Sequence, residues 1–416
     1  MKVLIVASKL GYQTRAFAEA AVRLGLEPVL ATDRCGSLDD PWRDHAFPLK
    51  FHRPAESAAR LARQVPDAAG IVAVGDKPAL AAAHIAHRLG LPFHPPKAVE
   101  AAGNKYLARQ AFHKAGLPVP AYFRVPLLSG AAEACSRASW PCVLKPLGLS
   151  GSRGVIRANS PGEFLAAFSR IRRLLDSPEI LRGRDPALGF IQVEDYIPGR
   201  EFALEGLVSN GRLRTLAIFD KPDPLEGPFF EESIYLTPSR EPETAQVAMR
   251  EAIQRAVTAL GLTHGPVHAE LRVNEHGPWV LEVAARPIGG LCARVLRFNG
   301  GAPLEEVILK HALQREEEPP LLDHAAAGVM MIPIPRDGIY EDCSGVEPAQ
   351  ATPGVDGVEI TARHGQVYKR LPEGGSYLGF IFARGADSSA VESSLRQAHA
   401  KLAFRFAATL TVLPKR

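Results

Sequence analysis

Apolar and polar positions along these 416 residues fall into blocks whose period changes several times. Over residues 1 to about 100, short apolar runs (KVLIVAS, EPVLATD, GIVAVGD) alternate with stretches whose apolar positions recur at helical spacing (TRAFAEAAVRLG, PALAAAHIAHRLG). Strand and helix in alternation predict an open α/β layer with a parallel sheet. Asp33 and Asp76 close two of these strands. Strand ends in such sheets often face a ligand crevice, although capping or loop solvation is the commoner role of an aspartate there. The first turn, SKLGYQT, lacks both G-x-G-x-x-G and G-x-x-x-x-G-K-[ST], so dinucleotide and P-loop chemistry are not indicated.

A proline-rich connector, PFHPPKAVEAAG, predicts a boundary near residue 100 and leads into a helix with Lys105 close to its start. A lone lysine there is usually a surface charge. Next come two short strands, VLK and GVIRA, separated by GLSGSRG. Gly148, Ser150, Gly151, Ser152 and Gly154 make this a loop whose N–H groups could close over phosphate oxygens, with Lys145 and Arg153 adding charge; a flexible hairpin is the alternative. FLAAFSRIRRLL reads as an amphipathic helix with its arginines in water. FIQVEDYIPGREF resumes strand before a Pro-Gly turn, and its free backbone beside Val193, Tyr196 and Ile197 could hold a flat base, with Glu201 accepting sugar hydroxyls. An ordinary strand and turn reads the same way.

A hairpin about Asn210-Gly211 ends at Asp220 and Lys221, before a Pro/Gly-rich loop containing Phe229, Phe230, Glu231 and Glu232. Residues 243–261 form an amphipathic helix. Beyond 300, the helix PLEEVILKHAL runs into the charged linker REEEPP; GVMMIPI, GVEITAR, LGFIFARG and AVESSLRQAHAKLAF then predict a mixed α+β unit.

The chemistry concentrates in residues 264–290, HGPVHAELRVNEHGPWVLEVAARPIGG. VHAELRV and PWVLEVA alternate like strands around NEHG, which predicts a hairpin. With the turn centred on His276, Glu270 opposes Glu282, Leu271 faces Leu281 and Val273 faces Trp279. Opposed Cβ atoms lie about 4.5 to 5.5 Å apart, where two carboxylates repel unless a cation neutralises them. Hard oxygen ligands favour Mg²⁺ or Mn²⁺, and Mg²⁺ commonly completes its shell with phosphates and water. Arg286 adds a permanent cation, followed by Pro287, Ile288, Gly289 and Gly290. A bulge or a two-residue turn would instead shift the register and leave two solvated glutamates, a reading that the hairpin alone leaves equally open.

Composition narrows the class. A hydrophobic fraction of 46%, 23% charged residues and a net charge of +4 describe a globular chain and do not imply nucleic acid. Five scattered cysteines without CxxC spacing point to a reducing compartment. Cys292 reads as buried and inert. No cleavable leader is evident and no apolar run approaches the roughly 20 residues needed to span a bilayer, so a cytoplasmic protein with no membrane partner is expected.

Lys105, Lys145 with its glycine loop, VEDYIPGREF, Glu270, Glu282 and Arg286, in that order, resemble the ATP-grasp superfamily of carboxylate ligases over about residues 1 to 310. LEVAARPIGG, FDKPDPLEGPFFEESIYLTPS and LPEGGSYLGFIFARG look most like the L-amino acid ligases that form dipeptides. The resemblance implies an ATP-grasp fold of mixed α/β and α+β class: an N-terminal open parallel domain (1–100), an ATP-grasp domain (101–312) with a Gly-rich lid at about 125–195, and a C-terminal α+β domain (313–416). It implies that Lys105 and Lys145 hold the α- and β-phosphates of ATP under Ser150, Gly151, Ser152 and Gly154. By the same matching, Glu194, Tyr196 and Ile197 receive adenine, Glu201 takes the ribose and Lys221 approaches the γ-phosphate. Glu270 and Glu282 would ligate Mg²⁺ (or Mn²⁺), and Arg286 would hold an acyl phosphate. The family pattern is Glu-x-Asn-x-Arg; Ala284 stands where the asparagine would be, implying that one metal is held more loosely or through water.

The implied reaction is ATP-dependent activation of a carboxylate, that of an amino acid above all, and its joining to an amine, with release of ADP and phosphate. A homodimer is the family default. A ligase for a non-amino-acid carboxylate such as a ribotide, or an ATP-binding regulatory protein without catalysis, are the alternatives.

Overall fold

The blocks of alternating period become five sheets in a computed structural model that describes residues 1–8, 11–33, 46–315, 320–323 and 325–408. β1 (Lys2–Ala7), β2 (Glu27–Thr32), β3 (Phe47–Pro48) and β4 (Ala68–Val74) pair in parallel in the order β3-β2-β1-β4, the open layer expected. β1 is apolar from Val3 to Ala7 because both of its faces are covered there. Leu4 and Val6 pack with Leu61 and Ile85 from helices Pro54–Gln64 and Asp76–Leu89, while Val3 and Ile5 pack with Phe17 from helix Tyr12–Arg23. Both cores continue into residues of the large sheet, among them Leu204 and Leu271 on one side and Leu207 and Phe219 on the other.

β5 (Tyr122–Pro126), β6 (Cys142–Pro146), β7 (Ile156–Ala158) and β8 (Phe190–Asp195) form an antiparallel sheet ordered β5-β8-β6-β7. Helix Pro161–Leu175 covers it, burying Phe164, Phe168 and Ile171 on Leu144, Ile191 and Val193. Ser160 caps that helix, its hydroxyl accepting from the Glu163 N–H. Arg172 and Arg173 in its last turn are exposed, as the amphipathic reading required.

β9 (Arg200–Ser209), β10 (Arg212–Asp220), β11 (Ile234–Thr237), β12 (His264–Asn274) and β13 (Gly277–Ala284) belong to an eight-stranded sheet. Its order is β13-β12-β9-β10-β11, continued by strands Ala326–Ile332, Gly379–Gly385 and Val355–Ile360. The late strands are thus stitched to the hairpin strands through β11, where Leu236 pairs Gly328. Asn210 and Gly211 both take left-handed φ (51° and 77°), the pair of values a two-residue hairpin turn requires.

The acidic hairpin corrects the sequence reading in an instructive way. Its turn has two residues, Glu275 and His276, so Val273 faces Pro278 rather than Trp279, and Leu271 faces Val280 rather than Leu281. A bulge that leaves Leu281 unpaired then shifts the register back, and Glu270 does oppose Glu282. Two displacements of one residue cancel at the only pair that matters for the chemistry.

No helix among the described residues is long and apolar enough to cross a membrane. Cys135, Cys142, Cys292 and Cys343 are unpaired, and burial pushes the Cys292 thiol well up, as expected of an inert core cysteine. Cys35 and residues 316–319 of the charged linker lie outside the described residues.

Candidate active site

The two faces of the hairpin differ because strand side chains alternate. Val267, Ala269 and Leu271 enter the core beneath, which leaves His268, Glu270 and Arg272 on the opposite face of β12, looking toward the Gly-rich loop. Between that face and the four-stranded sheet lies a cleft of about 930 Å³, counted out to its open mouth, within the range of small-molecule sites. Its walls bring together Lys105, Lys145, Ser150, Gly151, Ser152, Glu194, Tyr196, Ile197, Glu201, Glu270, Glu282 and Arg286, residues spread over 182 positions of the chain.

Two candidates stand apart from it. Gly154 is packed at the base of the loop, where a Cβ would come within 2.7 Å of Pro146 Cγ, so its small size serves packing and not the cleft. Lys221 lies behind the wall and not on it, 7% exposed in a cage of carboxylates.

One wall is cationic. Asn104 caps helix Lys105–Lys114 by accepting from the N–H groups of Tyr106 and Leu107, which sets Lys105 in the first turn. Lys105 Nζ donates to Leu149 O (2.6 Å) and stands 3.5 Å from Glu282. One turn further along the same helix face comes Arg109, a residue the sequence reading passed over. It is buried and grips Glu194 with Nε and Nη2 at 3.0 and 3.3 Å. Lys145 binds the same carboxylate, and Gln192 Nε2 adds a third donor at 2.8 Å. Burial works against an ionised Glu194, yet Arg109 and Lys145 hold its carboxyl at about 2. Burial, with Arg109 adjacent, brings Lys145 down to about 8 despite Glu194. Two buried cations share one anion, an excess of positive charge that suits a phosphate.

The side chain of Glu194 therefore orients Lys145, and the flat surfaces of this region come from other residues. Tyr196 and Phe230 lie stacked 6.5 Å apart, and Arg157 sits 4.1 Å over the Tyr196 ring. Arg272 organises the strip: it donates to Tyr196 Oη (2.9 Å), to Ile197 O (2.8 Å) and to Glu201 Oε2 (2.9 Å).

The other wall is acidic. Glu201 Oε1 accepts from Lys221 (2.8 Å), which also binds Glu232 and lies 3.7 Å from Glu270. Ligand oxygens of Glu201, Glu232 and Glu270 all lie within 4.8 Å of one another. Burial and then the Glu270 charge raise Glu232 to about 7. Glu270 is held well below the carboxylate range: burial opposes its charge, but Lys221 and His268 outweigh it. His268, which burial would lower, is lifted to about 9 by Glu205 and Glu270, and so pairs with Glu205 as a cation. Lys221 and Arg272 then face Glu201, Glu232 and Glu270, one carboxylate in excess once Glu232 is ionised. Hard oxygens with uncompensated negative charge fit a divalent cation, and the opposed Glu282 extends the set.

Arg286 is held by Asp76, whose Oδ1 accepts from Nε at 2.8 Å from the start of the helix after β4. Asp76 is the clearest residue underrated from sequence, since its partner lies 210 positions away. His268 and Arg272 carried a usable signal: they flank Glu270 at the two-residue spacing that puts all three on one strand face. Glu232 carried none beyond lying in an acidic loop.

The sequence profile of the ATP-grasp domain matches residues 138–295, and that of the L-amino acid ligase C-terminal domain 2 matches residues 330–407. Alanine–anticapsin ligase of Bacillus subtilis is 26% identical over 365 residues, covering 77% of this chain and 74% of that one. The crystal structure of L-amino acid ligase from Bacillus licheniformis superposes with a TM-score of 0.82 at 26% identity, covering 98% of both chains. Phosphoribosylglycinamide synthetase from Anaerococcus prevotii shares the fold alone, with a TM-score of 0.68 at 15% identity over 98% of this chain and 99% of that one.

Proposed function

We propose that this chain, a member of the ATP-grasp carboxylate–amine ligases, which use ATP and a divalent metal, joins the carboxylate of one amino acid to the amine of another. In this reading the triphosphate lies between the cationic and acidic walls. Lys105 and Lys145 take its phosphates beneath Ser150, Gly151 and Ser152, the strip from Tyr196 to Ile197 with Phe230 receives the adenine, and Glu201 faces the ribose. Mg²⁺ would be held by Glu270 and Glu282, with Glu232 and Glu201 near enough to share in it, and would neutralise charge on the phosphate oxygens.

A carboxylate is too poor an electrophile to react with an amine directly. Its oxygen displaces ADP from the γ-phosphorus, giving an acyl phosphate; the amine nitrogen then attacks the acyl carbon, phosphate leaves and the nitrogen loses its proton to solvent. The chain's own residues position and neutralise. Arg286, held in place by Asp76, faces the acyl phosphate, and Lys221 from beneath balances the carboxylates around it. The loop over the cleft keeps water from the acyl group.

The observation that carries this reading is the opposition of Glu270 and Glu282 in one cleft with Arg286 and two lysines. Incubation with ATP, Mg²⁺ and mixtures of amino acids tests it: ADP and a new amide are expected. AMP would point to another mechanism, amide from a non-amino-acid carboxylate such as a ribotide to the wider fold family, and nucleotide binding without turnover to a regulatory protein. We place the reaction in the cytoplasm, in a homodimer as is usual for the family, which light scattering checks.

A further inference from the structure

The Gly-rich loop hangs between two tethers. One is Lys105, whose Nζ donates to Leu149 O (2.6 Å). The other comes from the far C-terminal segment at residues 371–375, in the stretch matched by the C-terminal domain profile. Gly154 N–H donates to Pro372 O (2.9 Å), and Arg153 Nε donates to Glu373 O (2.8 Å). The Glu373 carboxylate is held by Arg170 of helix Pro161–Leu175, Nε to Oε1 at 2.6 Å and Nη2 to Oε2 at 2.8 Å. Arg153 also binds Glu179 of the short helix Pro178–Leu181 at 3.0 and 3.3 Å, so it ties the loop, that helix and the C-terminal segment at one point. Between the tethers nothing lies within 4 Å of where a Gly151 Cβ would be.

The segment itself is built to make a tight turn there. A Cβ on Gly374 would fall 1.8 Å from Lys369 O, so no other residue fits that backbone path. A few residues on, Tyr377 stands edge-on to Phe380, 6.2 Å between ring centroids, and Phe380 abuts Gly290, four positions past Arg286. The same short stretch therefore touches the loop at one end and the neighbourhood of the reacting centre at the other.

We infer that residues 371–375 latch the Gly-rich loop, with Glu373, Arg153 and Arg170 as positioning residues that keep Ser150–Ser152 over the cleft. This rests on the proposed function for its consequence, namely that the latch protects the acyl phosphate from water until the amine attacks. Contacts that merely joined two units would have no reason to converge on the two residues that follow Ser152. A bidentate arginine–carboxylate pair fixes orientation as well as distance, which suits a loop that must return to one place.

The test is Glu373→Gln, which keeps the side chain's volume and removes its charge, alongside the swap Arg170→Glu with Glu373→Arg. Amide hydrogen exchange over residues 148–156 without nucleotide, and the ratio of ADP to amide during turnover, are read together with the melting temperature. Glu373→Gln should speed exchange there and raise ADP released without amide, each about fivefold, the scale of one partly exposed bidentate pair. The melting temperature should hardly change, and the swap should restore part of both effects. Wild-type exchange in Glu373→Gln, or a wild-type ADP-to-amide ratio, overturns the latch. If the unaltered chain makes no amide at all, the ligase reading fails, and the exchange measurement still decides whether the loop is held.

Discussion

Replacing Glu194 by Gln removes the one anion between Arg109 and Lys145 while leaving its volume nearly unchanged. Both cations are buried, and the carboxylate that joins them is itself only 4% exposed. Its carboxyl is held at about 2 against an ordinary 4.5, and at about 1.4 kcal/mol per pH unit that gap is worth about 3 kcal/mol of stability. Breaking a buried pair by removing one partner costs a similar amount, about 3 to 5 kcal/mol.

The sign follows from a depressed acid. Glu194 binds fewer protons folded than unfolded, so its contribution is complete above about pH 4.5 and fades as the pH falls toward 2. Urea denaturation at pH 7 should show the variant about 3 kcal/mol less stable, with the difference from wild type narrowing below pH 4.5. Activity supplies a second readout. Lys145 sits at about 8 with Glu194 in place, so KM for ATP should rise as the pH climbs through 8, and in the variant that rise should begin at lower pH. A stability loss under about 1 kcal/mol at pH 7, or a pH-independent difference, would refute the assignment of Glu194 as the anchor of Lys145.

Three further outcomes are expected. Glu282→Gln should nearly abolish turnover in a protein that still melts like wild type, since it removes one proposed metal ligand at constant volume; wild-type turnover would remove Glu282 from the site. Asp76→Asn weakens the 2.8 Å bond that holds Arg286 and should lower kcat/KM about 5- to 30-fold, measured by coupled ADP release. Gly151→Val has space around the new side chain but must adopt a φ of +64°, so it should slow turnover by distorting the loop tip with little effect on global stability; an unchanged rate would remove the tip from catalysis.

What the sequence determined by itself was whatever depends on near neighbours. The apolar runs of β1, β2 and β4 and the helical spacing between them specified the parallel layer, because β1 and β4, buried along most of their length, leave no polar period to misread. Strand alternation put Glu270 and Glu282 on ribbon faces, and the order of lysines, glycine loop, acids and arginine carried the family resemblance. Tertiary structure decided the rest. The hairpin register came from a two-residue turn compensated by the Leu281 bulge, and a bulge leaves no mark in a period-two pattern. Asp76, Arg109, Glu232 and Glu373 take their meaning from partners as far as 210 positions away. The cage around Lys221 is likewise assembled from two separate strands and a loop. Hydrophobic period is a local property that each segment carries alone, whereas neutralising a buried charge is a property of whatever the packed cores bring within about 4 Å of it.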